Sequence, residues 1–172
     1  VGDIVLPDIS PWPTCQALFV EVAEIIKPGY TDPEAIFGLQ RYIKSLKKLE
    51  EIALQLPEII VLPAHRLYYR NRWNGIHLAG RVKELRQHHI KRCAAILEIL
   101  GGRPKTAAET AREHFDEKLL EGFGSQMAAN EVISHCELLI ASGDITAIDG
   151  NKYAVTGRTG FKDYIASLGS EY

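Results

Sequence analysis

Apolar residues along the chain follow two kinds of spacing. Ile36, Leu39, Ile43, Leu46, Leu49, Ile52 and Ala53 recur every three or four positions, the stripe of a helix ending near Leu54. Ahead of it, Thr31-Asp32-Pro33-Glu34 offers a capping side chain, a proline near the first helical position and an early acid. A shorter stripe of Leu18, Val22, Ile25 and Ile26 predicts a helix over 15–27, capped by Thr14 and ended by Pro28-Gly29. A long helix is predicted from about Ile76 to Leu100, stopped by Gly101-Gly102. Thr106 caps a short helix through about Phe115, and another runs from Ser125 to Ser142. Two runs break the helical period. Residues 2–6 form a short apolar strand closed by Pro7, and Ile59-Ile60-Val61-Leu62 predicts a fully buried strand. Alternating residues around Asp149-Gly150-Asn151 predict a hairpin, and an amphipathic helix follows Gly160.

Composition narrows the class. With 46% apolar and 24% charged residues in 172, the chain can bury a core. A net charge of −2 gives no whole-chain attraction to nucleic acid or membrane. Cys15, Cys93 and Cys136 show no zinc-like spacing, so they are expected as buried thiols in a reducing, cytoplasmic protein. No apolar run is long enough to span a bilayer, so no membrane partner is expected. The first residue, Val1, already lies in an apolar run, which leads us to expect a chain severed from a longer parent.

Short motifs then occur in a telling order. Gly2-Asp3 at a strand start is followed by Leu6-Pro7 and Ile9-Ser10-Pro11. Val61-Leu62-Pro63-Ala64-His65 closes a strand about 60 residues on. Tyr42-Ile43-Lys44-Ser45-Leu46-Lys47-Lys48-Leu49 lies between, and His88-His89-Ile90-Lys91-Arg92 beyond. After these comes the order helix, helix, helix, hairpin of a winged helix. Together they resemble the C-terminal portion of metallo-β-lactamase-fold hydrolases that carry a C-terminal winged helix. The resemblance implies an α+β, mostly helical chain: part of one half of an αββα sandwich over 1–85, then a winged helix-turn-helix domain over 86–172. It implies zinc or another divalent metal in the intact parent, with Asp3 as the bridging carboxylate and His65 as a late histidine ligand. A small-molecule or RNA substrate in the parent would follow.

The sequence departs from that family in ways that bear on function. It has no His-x-His-x-Asp-His segment, and its final motif reads Pro63-Ala64-His65-Arg66, with Ala64 and Arg66 where the family has glycines. Two ligands fall short of the three of a catalytic zinc site and the four of a structural one. The fragment alone is therefore expected to hold no cofactor and to be inactive. Arg66, Tyr68, Tyr69 and Arg70 interleave cations and rings beside His65, either as a substrate rim or as an ordinary packed rim. His77, Arg81, Glu84 and His88 share one helix face, read as a polar or interdomain stripe rather than a site. His114 and His135 are expected to be structural or exposed.

The winged helix invites a DNA-binding reading, and the charges oppose it. Residues 103–172 hold seven basic against eleven acidic side chains, and Met127–Ser142 has no Lys or Arg. Phosphate contact needs cations. A binding module without catalysis, with protein as the favoured partner, is the alternative function. Apolar faces left by the absent half predict self-association into a homo-oligomer.

Overall fold

The computed structural model describes residues 3–16, 37–149 and 151–169. Helix α1 spans Leu39–Gln55 and buries the expected stripe through Leu39, Ile43, Leu46 and Ala53. It starts at Gly38, whose φ of 98° suits a residue without a Cβ, and whose N–H donates to the Thr14 carbonyl at 2.7 Å. The proposed cap at Thr31-Asp32-Pro33-Glu34 and the helix over 15–27 lie, from residue 17 onward, outside the described residues.

A small hairpin follows, β1 (Tyr68–Tyr69) paired with β2 (Arg72–Trp73). Helix α2, Leu78–Leu100, is the spine of the molecule. His77 caps it, with Nδ1 accepting from the Gly80 N–H at 3.2 Å. Strand β3 (Lys105–Thr106) leads into α3, Ala107–His114, which opens on a capping box. The Thr106 hydroxyl accepts from the Glu109 N–H, and the Glu109 carboxylate accepts from the Thr106 N–H. A turn of 3-10 helix at Glu117–Leu119 precedes α4, Gly124–Ala141. Strands β4 (Ile145–Ile148) and β5 (Lys152–Val155) form the expected hairpin, which β3 extends into an antiparallel sheet ordered β3-β5-β4. Helix α5 spans Phe161–Ser167.

Buried Asp144 joins three of these elements. Its carboxylate accepts from the Ser142 hydroxyl and the Gly160 N–H, so the end of α4, the start of β4 and the start of α5 are tied by one side chain.

Two apolar clusters divide along α2. Val5, Leu46, Ala53, Val61, Leu78, Val82 and Leu85 make one. The other gathers Leu39, Ile43, Cys93, Ile96 and Leu100 with the buried faces of α3, α4, α5 and β4. Tyr42 packs against both. The three cysteines are buried, as expected.

Two strand expectations are corrected. Residues 3–5 are turn and bend rather than strand, and Leu6 is irregular. Ile59–Leu62 is not a fully buried strand either: it pairs with no strand, Val61 is buried, and Ile60 and Leu62 are 83% and 63% exposed. A strand needs a ladder partner for its backbone groups, and no described strand lies alongside to supply one. No described helix is long and apolar enough to cross a membrane.

Candidate functional site

Asp3 and His65 are 62 residues apart in sequence, yet the chain brings them into contact. His65 Nδ1 lies 2.6 Å from Asp3 Oδ1, on an open surface where the side chains are 69% and 55% exposed. A carboxylate only accepts, so Nδ1 carries the proton and donates. In that tautomer Nε2 keeps the lone pair, the arrangement in which a carboxylate orients an imidazole for a metal or a proton.

Several links hold the two segments in this position. Arg66 donates to Asp8 at 2.9 Å, a cation–carboxylate contact between the same two stretches of chain. Arg81, from α2, reaches the carbonyls of Leu6 at 2.7 Å and Ile9 at 2.8 Å. The Tyr42 hydroxyl donates to the Ile4 carbonyl at 2.8 Å. Asn74 donates to the Arg66 carbonyl at 3.0 Å, tying the far side of the loop. The polar stripe on α2 has the structural role expected of it. His77 caps the helix, Arg81 anchors the N-terminal segment and pairs with Glu84, and His88 meets the Ser10 hydroxyl at 3.2 Å.

These donors suit a metal in kind, not in number. A carboxylate and an imidazole are ordinary ligands for a zinc-type ion. With the Nδ1 proton held by Asp3, Nε2 is the His65 atom left to bind an ion. Among the described residues, however, no three His, Cys, Asp or Glu side chains converge as a metal site would require. The described donors do not make a complete site.

Arg66, Tyr68, Tyr69 and Arg70 follow His65 along the chain. The Arg66 guanidinium stands 4.6 Å from the centre of the Tyr69 ring, and that of Arg70 5.3 Å from it. Tyr68 faces Trp73 across the hairpin with ring centres 5.1 Å apart.

Sequence reasoning missed one feature. His89 and His135, from α2 and α4, are both fully buried, with His89 Nδ1 3.1 Å from His135 Nε2. His135 Nδ1 lies 2.7 Å from the Glu131 carbonyl and donates to it, so His135 Nε2 accepts and His89 Nδ1 donates. Burial pushes His89 down to about 2, helped by the neighbouring His135 and His88, and holds His135 well below the usual imidazole range. Arg92 pairs with Glu131 beside them and stands over the Phe115 ring. The signal in the sequence was a histidine among the apolar positions of each helix, His89 between Leu85 and Cys93, His135 between Val132 and Leu139.

No family model matches the sequence, and no curated protein matches it. Solved structures do. A beta-lactamase domain protein from Burkholderia ambifaria is similar over 91% of this chain and 40% of its own, at 25% identity and a TM-score of 0.64. A metallo-beta-lactamase family protein from Thermus thermophilus is similar over 90% of this chain and 40% of its own, at 22% identity and a TM-score of 0.59. The chain thus spans about two-fifths of the length of these proteins, and its fold is the fold of that part of a metallo-β-lactamase family protein.

Proposed function

We propose that this chain is the C-terminal part of a metal-dependent hydrolase of the metallo-β-lactamase superfamily, with Asp3 and His65 as two ligands of a zinc-type centre completed by residues outside it. The contact between Asp3 and His65 carries the reading. Two residues that resemble family ligands meet at hydrogen-bond distance in a chain of the corresponding fold. The free Nε2 of His65 supports it; the shortfall in donor number supports an inactive fragment and an active parent. Within the chain, Asp3 fixes the tautomer of His65, and Arg66, Arg81 and Tyr42 fix the segments that carry the pair.

The test is metal analysis and hydrolysis assays on this chain and on the longer product of its gene. The chain alone should hold well under one metal per molecule and turn over no ester, thioester or phosphodiester. The longer product should hold metal and hydrolyse at least one of these. Hydrolysis by the isolated chain, or a metal-free longer product, would overturn the proposal.

A second reading is favoured by the architecture of residues 86–169. The end of α2, then α3, α4 and a hairpin backed by β3, is the order of a winged helix-turn-helix domain. We read this unit as a packing or protein-binding domain rather than a DNA reader. Its third helix, α4, buries Val132, Ser134, His135, Cys136, Leu138 and Leu139. Of its acids, Glu131 pairs with Arg92, and Glu137 accepts from the Gln16 N–H at 3.0 Å. A low-salt gel shift should show no tight, salt-sensitive DNA binding; such binding would favour the nucleic-acid module.

A further inference from the structure

The loop that carries His65 continues into the β1–β2 hairpin, whose two faces differ. Tyr68 and Trp73 are direct cross-strand partners and form an exposed aromatic face. Tyr69 and Arg72 are also direct partners, so they share the opposite face. Onto that face come Arg66 and Arg70, whose guanidinium groups stand 4.6 and 5.3 Å from the Tyr69 ring centre. Two guanidinium groups therefore stand by one ring, and Arg72 projects from the same face of the hairpin. Among the described residues only Arg66 has a carboxylate partner, Asp8 at 2.9 Å. Arg72 donates to the neutral Asn74 side chain at 3.1 Å, and Arg70 contacts only the ring. Three cations against one carboxylate leave an excess of two positive charges on a face about one strand pair wide.

The backbone also holds this cluster at some cost. Arg66, Arg70 and Asn71 have φ of 64°, 52° and 59°. Asn suits the left-handed region, while arginine rarely adopts it. Like charges brought together on a strained turn are stabilised when an anion sits between them.

We propose that the Arg66–Arg70–Arg72 face around Tyr69 binds a doubly charged anionic group, a phosphate monoester or a pair of carboxylates, of the substrate handled at the adjoining Asp3–His65 pair. The Tyr69 ring lies beside two of the guanidinium groups. Arg70 and Arg72 supply the uncompensated charge, and Arg66 couples the face to His65, its neighbour in sequence. This names a substrate class for the hydrolase proposed above and rests on that reading only for the word substrate. Binding by the hairpin stands or falls without metal or turnover.

The test uses phenyl phosphate and succinate as probes on the 172-residue chain, with acetate as the singly charged control, followed by amide NMR shifts over residues 66–74. We expect saturable shifts with one or both dianions at a Kd of roughly 1 mM, and at least about tenfold weaker binding of acetate. The ratio between phenyl phosphate and succinate tells phosphate from carboxylate. Binding should weaken with added salt and fall at least about tenfold in Arg70→Gln/Arg72→Gln. Both side chains are exposed, so that variant should keep its far-ultraviolet circular dichroism spectrum. A second variant, Arg70→Glu/Arg72→Glu, should abolish the shifts. No saturation by either dianion, or saturation unchanged in the double variants, would overturn the proposal. Dianion binding with no metal in the longer gene product would leave the anion face standing and the hydrolase reading refuted.

Discussion

The two apolar clusters along α2 are finished to different degrees. The one around Cys93, Ile96, Val132, Leu138 and Leu139 is sealed by helices, a three-stranded sheet and the Asp144 lock. The one around Val5, Leu46, Val61 and Val82 is thin, and beside it Leu54, Leu56, Ile60 and Leu62 are 75%, 57%, 83% and 63% exposed. The candidate ligands Asp3 and His65 lie on the unfinished side. Closure lets the first region fix its own side chains. The second presents the Asp3–His65 pair and its apolar residues outward, as a surface awaiting a partner would.

The largest effect that could break this contrast is in the sealed cluster. Leu139→Ala should cost about 2–5 kcal/mol, because its side chain is fully buried and the cavity left cannot collapse. Urea unfolding measures it, and a loss near zero would show that this core is not closed.

The buried histidine pair should give the next effect. The folded-state pKa of His89 lies at about 2, below its unfolded value of 6.5, and that of His135 is also lowered, so the unfolded chain binds more protons in that window. Stability from the pair is fully present above about pH 6.5 and is lost as pH falls below it. At pH 5.5 the two together should lower the unfolding free energy by about 1–3 kcal/mol relative to pH 7.5. Unfolding curves at both pH values check this, and His89→Gln/His135→Gln should flatten the dependence.

Thr106→Ala should cost about 1 kcal/mol by removing half of the capping box on α3. Smallest of all, Ile60→Ser/Leu62→Ser should change stability by less than about 0.5 kcal/mol, since both side chains are already in water. The same pair of changes should reduce self-association in sedimentation velocity. A large stability loss there would mean that the region is closed after all.

The sequence showed most clearly what depends on local physics. The stripe in α1, the long α2, the cap at Thr106 and the hairpin over 145–155 follow from spacing, caps and turn residues a few positions apart. Residues 2–6 and 59–62 were harder, because a strand is a relation between two chains of backbone, and composition cannot say whether a partner is present. Ile60 and Leu62 are apolar enough for a core and stand in solvent. The Asp3–His65 contact was not read from the sequence, where each residue only resembled a family ligand; its hydrogen bond depends on Arg66, Arg81 and Tyr42 converging from three segments. The His89–His135 pair escaped because two histidines 46 positions apart reveal their contact only when α2 packs on α4.

The account turns on whether Asp3 and His65 hold a metal when the rest of a site is present. The most direct measurement is metal content per molecule, after exhaustive dialysis, of the longer gene product and of its Asp3→Asn and His65→Ala variants. The account predicts bound zinc-type metal in the parent and at least about a hundredfold weaker metal affinity in each variant. Full metal content in both variants would contradict it.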